Sequence, residues 1–114
     1  MIDEKLLEEL RQKLLDEKEY LEKEIKKMTH VNADGILEVN YPEDLGYDDS
    51  ENANEVEEYA ERVVIVDNLQ KRLEEVNDAL KRMDDGTYGV DVITGEEIDI
   101  ERLKACPSAK TNVR

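Results

Sequence analysis

Between Glu43 and Glu61 the chain carries nine carboxylates, on Glu43, Asp44, Asp48, Asp49, Glu51, Glu55, Glu57, Glu58 and Glu61, and no basic residue. Acids at this density can start and cap a helix, hold a divalent cation, or offer negative charge to a partner's cationic site. Capping explains part of the run, because Asp48 with Glu51, and Asn52 with Glu55, have capping-box spacing. Acids in a first helical turn also complement the helix dipole. Two caps do not need nine carboxylates. A calcium loop fails on spacing: Asp48, Ser50 and Asn52 alternate as ligands do, but the position that requires Gly is Ala53 and the twelfth position is Tyr59. What remains is a dense negative charge directed at something outside the chain.

The second stretch with chemical character is Gly86–Arg114, "GTYGVDVITGEEIDIERLKACPSAKTNVR", which has the punctuation of a small metal-held knuckle. A zinc knuckle needs four thiolate or imidazole donors, usually in two close pairs. This stretch has one thiol, Cys106, and no imidazole. The local pattern predicts a β-hairpin turning at Thr94–Gly95, then a helix capped by Asp99 and stopped before Pro107. Val90, Val92, Ile98, Ile100 and Leu103 are the expected apolar centre. The single His of the chain, His30, reads as a helix-end residue, favourable when charged near a C-terminus. No nucleophile stands beside a base, so catalysis by the chain itself is not expected.

Two long elements must carry these stretches. Leu7, Leu14, Leu21 and Met28 recur every seven residues, with Leu10 and Ile25 adding the offsets of a helix-packing seam. The seam resumes through Val56, Tyr59, Val63, Val66, Leu69, Leu73, Val76, Leu80 and Met83, and closes at Gly86. Each stripe is too narrow to be buried alone, so the two helices are expected to cover one another as an antiparallel hairpin within one chain. The fold class is therefore mainly α, with a small C-terminal knuckle of β-hairpin and helix. Helices of roughly 27 and 33 residues would make a rod of roughly 40 Å or more. The expected division is 1–85 for the hairpin, with its acidic tip loop at about 30–50, and 86–114 for the knuckle. Tyr41, Tyr47 and Tyr59 flank the tip as packing residues. The run "AERVVIVDNL" is apolar on more than one face, and either receives the tip loop through Ile36, Leu37 or Val39 or marks a partner surface.

Composition narrows the partners. There are 31 acidic and 16 basic residues, a net charge of −15, which repels phosphate backbones and makes direct nucleic-acid binding unexpected. A single Cys excludes an internal disulfide and fits a reducing compartment. The opening "MIDEKLLEEL" has no apolar core of signal-peptide length and no run approaches membrane-spanning length, so a cytoplasmic protein is expected.

At this point the residues resemble the DksA/TraR family of bacterial transcription factors, which have a helical hairpin followed by a zinc-binding knuckle. The similarity lies in "DDGTYGV…TGEEI…ERLKACPSA", where Gly86, Thr87, Tyr88, Gly89, Gly95, Glu96, Ile98, Glu101, Arg102, Leu103, Ala105, Pro107 and Ala109 fall where that pattern has like residues. The departure is in the metal ligands. The resemblance puts the family's first Cys-x-x-Cys pair on Asp91 and Thr94 and its third ligand on Asn112, with the fourth position beyond Arg114. None of these is a thiol, and Cys106 is not at a ligand position. No cofactor is therefore expected: zinc is lost, and hydrogen bonds of Asp91, Thr94 and Asn112 across the former site are expected to offset part of its contribution.

The resemblance also implies a partner, RNA polymerase, with the hairpin inserted in the secondary channel so that tip carboxylates approach the catalytic magnesium and shift initiation. The family's Asp-x-x-Asp-x-Ala tip motif falls on Asp48, Glu51 and Ala53, the second Asp having become Glu, with Asp49 beside them as a possible substitute. The contact with the polymerase magnesium would be indirect. Two alternatives stand: a coiled-coil adaptor or dimerisation protein that has lost polymerase regulation, and a transcript-cleavage stimulating factor that uses tip carboxylates to hold a second magnesium. The sequence leaves the oligomeric state open.

Overall fold

The computed structural model describes residues 2–41 and 49–112, with the side chains of residues 49–54 outside the description. In chain order the elements are α1 (Glu4–Met28), β1 (Thr29–Val31), β2 (Leu37–Val39), α2 (Asp49–Asp85) and α3 (Ile100–Ala105). The chain is mainly helical with one small antiparallel sheet, as its two apolar stripes require. Two compact units are present, Met1–Tyr20 with Leu73–Arg114, and Leu21–Arg72.

In the first unit, α1 starts because the Asp3 carboxylate accepts the Leu6 N–H at 2.7 Å, an N-cap that satisfies one of the helix's free donors. The expected seam is buried here through Leu10, Leu14, Val76 and Met83. Ala79 joins it in place of Leu80, which is half-buried. The pair Arg11–Asp84, at 3.3 Å, shows an early turn of α1 beside the last turn of α2, the antiparallel sense expected of a hairpin. We expect Val76→Ala, at a site with no exposure, to cost about 2 kcal/mol from lost burial and the cavity left behind. A melting midpoint independent of protein concentration would place that packing within one chain, and a concentration-dependent one would place it between chains.

In the second unit, Leu21, Ile25 and Val66 are buried, whereas Val56 and Val63 are exposed, so the outer part of the predicted seam of α2 is not core. The connection between the long helices, read from the sequence as a run of chain breakers, contains the sheet. Thr29 pairs with Val39, His30 with Glu38 and Val31 with Leu37. The Asn32 side chain closes the turn by accepting the N–H groups of Asp34 (2.9 Å) and Ile36 (3.0 Å), and Gly35 takes φ +81°. The Asp34-Gly35 pair makes the turn between the two short strands. His30 lies in β1, one residue past the Thr29 that follows α1, and bonds Asn40 through Nδ1. Tyr41 and Tyr59 pack on each other at 5.0 Å between ring centroids, as expected of packing residues; Tyr47 lies outside the described residues. Of the residues expected to meet "AERVVIVDNL", Ile36 and Leu37 are exposed and Val39 is half-buried, while within that run Val63, Val64 and Ile65 are exposed and Val66 is buried. No described helix is long and apolar enough to cross a membrane.

Candidate functional site

The knuckle is built from the end of α2 outward. Gly86 leaves the helix at φ +79°, and the Arg82 carbonyl accepts the N–H groups of Thr87 (2.9 Å) and Tyr88 (3.2 Å). Gly89 takes φ +86°, which strains any L side chain, and a Cβ there would also press on the end of the Ile2 side chain at 2.8 Å, so glycine is favoured. The predicted β-hairpin is reduced to one bridge, Val90 with Glu97. Asp91 explains why. Its Oδ1 accepts the N–H groups of Ile93 (2.8 Å) and Thr94 (3.1 Å), bending the chain at once instead of letting it extend. Its Oδ2 accepts the N–H of Asn112 at 2.9 Å and ties the C-terminal strand of chain to this turn. The carboxylate is 1% exposed.

Asn112 extends the cluster. Its Oδ1 accepts the Asp99 N–H (3.0 Å) and its Nδ2 donates to the Glu97 carbonyl (3.3 Å), while Thr94 Oγ1 accepts the Glu96 N–H (3.3 Å). Asp91, Thr94 and Asn112 therefore stand in one hydrogen-bonded group. Asp99 caps α3 through the Glu101 N–H, and α3 ends before Pro107. The apolar centre is smaller than expected: Ile98 and Leu103 are buried, Ile100 is half-buried, and Val90 and Val92 are exposed. The buried position between those two valines belongs to Asp91, whose side chain holds the turn that follows it.

Both Asp91 oxygens are committed to backbone N–H groups, and among the described residues no three His, Cys, Asp or Glu side chains stand close enough to share an ion. Cys106 is half-buried with Sγ 3.7 Å from Ser108 Oγ. A structural zinc supplies on the order of 10 kcal/mol. Hydrogen bonds to a carboxylate contribute about 1.5–3 kcal/mol each, so the three on Asp91 offset only part of such a contribution.

The knuckle is also fastened to α2. Tyr88 donates its hydroxyl to the Pro107 carbonyl at 2.6 Å, and Arg82, itself buried, pairs with Asp78 and donates to the Ala109 carbonyl. Burial pushes the Tyr88 phenol up to about 12 from the usual 10.0, against the opposing charge of Arg82. The neutral phenol is the form the fold favours, so its stabilisation is complete below pH 10 and is lost as pH rises from there through about 12. Tyr88→Phe is expected to be less stable than the parent at neutral pH and to lack this part of the alkaline slope. Melting curves across that pH window, with the phenolate absorbance followed in parallel, check it.

The acidic tip is a different matter. Asp48 lies outside the described residues, and Asp49, Glu51 and Ala53 fall in the opening turns of α2 with their side chains outside the description.

No protein-family model matches the chain. Over 41 residues, 36% of this chain and 25% of the relative, it is 61% identical to General stress protein 16O of Bacillus subtilis (strain 168). Over 42 residues, 37% of this chain and 18% of the relative, it is 40% identical to the uncharacterized protein YteA of the same organism. The chain thus matches a quarter or less of the length of these curated relatives. Among solved structures, transcription factor DksA2 from Pseudomonas aeruginosa aligns with a TM-score of 0.73 over 98% of this chain and 81% of that one, at 22% identity. The chain has a DksA-like fold.

Proposed function

We propose that this protein is a transcription regulator that binds RNA polymerase and directs an acidic tip, Asp48, Asp49, Glu51 and Ala53, into the secondary channel. The observation that supports this reading is the DksA-like fold over 98% of the chain, combined with nine carboxylates and no base at 43–61, in and just after the connection between its long helices. The protein acts as a regulator and not as an enzyme, and its charge of −15 sends it to a protein partner in preference to nucleic acid. In the channel, carboxylates close to the catalytic magnesium would alter the field that holds the ion and the incoming phosphates. In this reading Asp91, which accepts three backbone N–H groups, takes over the organising role of a metal in the knuckle. Binding to purified polymerase, followed by an initiation assay, tests the reading. Absence of binding would leave the adaptor alternative, and RNA cleavage in stalled complexes would favour the cleavage factor.

A further inference from the structure

Asn40 joins three elements within the unit Leu21–Arg72. Its N–H donates to the carbonyl of Met28, the last residue of α1, at 2.7 Å. Its side-chain Oδ1, an acceptor only, takes a hydrogen bond from His30 Nδ1 in β1 at 2.5 Å. Its own carbonyl accepts Arg62 Nη1 of α2 at 3.0 Å. The next residue, Tyr41, packs on Tyr59 of α2 with 5.0 Å between ring centroids. Tyr59 and Arg62 are three residues apart and share one face of α2 with the buried Val66. Two residues after Tyr41 the acidic stretch begins, at Glu43.

Arg62 is the only Lys or Arg between Lys27 and Lys71, a span that holds twelve carboxylates. Segments this acidic repel one another when they are brought together, and the one cation available stands at the joint. Its side chain is 27% exposed, and its guanidinium reaches two groups, the Asn40 carbonyl through Nη1 and the Glu58 carboxylate through Nη2 at 3.8 Å. The planar fork of arginine makes both contacts at once, whereas a lysine ammonium is a single point charge on a flexible stem. The joint is therefore specific to this residue type, beyond its charge.

We propose that Arg62 is a positioning residue: by clasping the Asn40 carbonyl to α2 it fixes where the chain enters the acidic stretch, and thereby the reach of the acids that follow. This role rests on the polymerase reading above, while the joint itself can be measured in the free protein. The test compares the parent, Arg62→Ala and Arg62→Lys by amide exchange of the free chain and by regulation of purified polymerase. Ala and Lys are good helix formers, so both variants should keep α2 and the amide protection of the unit Met1–Tyr20 with Leu73–Arg114. In Arg62→Ala the Asn40 amide should exchange about tenfold faster, the effect of losing one hydrogen bond to a charged group. That variant should bind polymerase as the parent does and yet, at full occupancy, lose most of its effect on initiation. Arg62→Lys, which keeps the charge and one contact at a time, should recover part of both. Parental exchange at Asn40 in Arg62→Ala would overturn the proposal. Faster exchange together with a parental effect on initiation would reduce Arg62 to local packing and overturn it as well, while the polymerase reading stands. A parent that does not bind polymerase removes that reading, and the positioning role falls with it.

Discussion

Asp48→Asn and Glu51→Gln, combined in one chain, are expected to abolish the effect on transcription while leaving binding to RNA polymerase and the melting temperature nearly unchanged. The proposed tip acts by charge near a catalytic metal, and both substitutions keep side-chain size while removing that charge. Their effect on stability should be small, and its sign should favour the variant, because nine carboxylates between Glu43 and Glu61 repel one another without a base among them. The two substitutions can be separated. Glu51 stands where the resembling pattern has Asp, one methylene shorter, so Glu51→Asp tests whether reach limits potency: a stronger effect than the parent's would show that it does. Initiation assays at fixed occupancy read both variants. A double variant that still regulates like the parent would reduce these acids to caps and solubilising charge, and the adaptor reading would then lead.

Asp91→Ala is expected to unfold the knuckle. Three N–H groups, on Ile93, Thr94 and Asn112, would lose the acceptor that holds them at 2.8–3.1 Å around a carboxylate with 1% exposure. Each part-buried donor left without a partner costs up to about 1–3 kcal/mol, so the sum is at most about 9 kcal/mol. Asp91→Asn keeps one acceptor oxygen but must turn an NH2 group toward one of the three donors, and its loss should lie between parent and Ala. Amide exchange at Ile93, Thr94 and Asn112 measures the effect locally. The amides of the unit Leu21–Arg72 should keep their protection. The same account requires that the parent carry no stoichiometric zinc and keep its circular dichroism and melting point in a strong chelator. Stoichiometric metal together with unfolding by the chelator would show that a metal, and not Asp91, organises this segment.

Much of the architecture was legible because helix-packing stripes are periodic in sequence, and periodicity survives whatever the partner is. Leu10, Leu14, Leu21, Val76 and Met83 are buried where the stripe put them. Asp99 caps α3, as its place before the helix implied; that Asp91, Thr94 and Asn112 stand together was expected from the resemblance, which put all three at former ligand positions. The tip residues were singled out by composition, and their side chains lie outside the described residues.

Other features depended on which of several possible contacts forms, and sequence alone does not rank those. The sheet Thr29–Val31 with Leu37–Val39 sits where Gly, Pro and Asn read as breakers, because strands of three residues are too short to show a period. Val90 and Val92 were assigned to the core by hydrophobicity, yet both are exposed, since the inward position between them is taken by a carboxylate that satisfies three N–H groups, which a valine cannot do. Val56, Val63 and Val64 continue the apolar pattern of α2, but whether they are covered depends on how the chain returns from α1 to α2. That return uses Tyr41 on Tyr59 and the Asn40 carbonyl on Arg62, one row away. The sequence by itself determined the two helices, their seam and the acidic stretch, because each is a local repeat or a local composition. The tertiary structure alone decided that a carboxylate stands at the centre of the knuckle and that one stripe of α2 faces solvent, because both follow from a competition between groups distant in the chain for the same space.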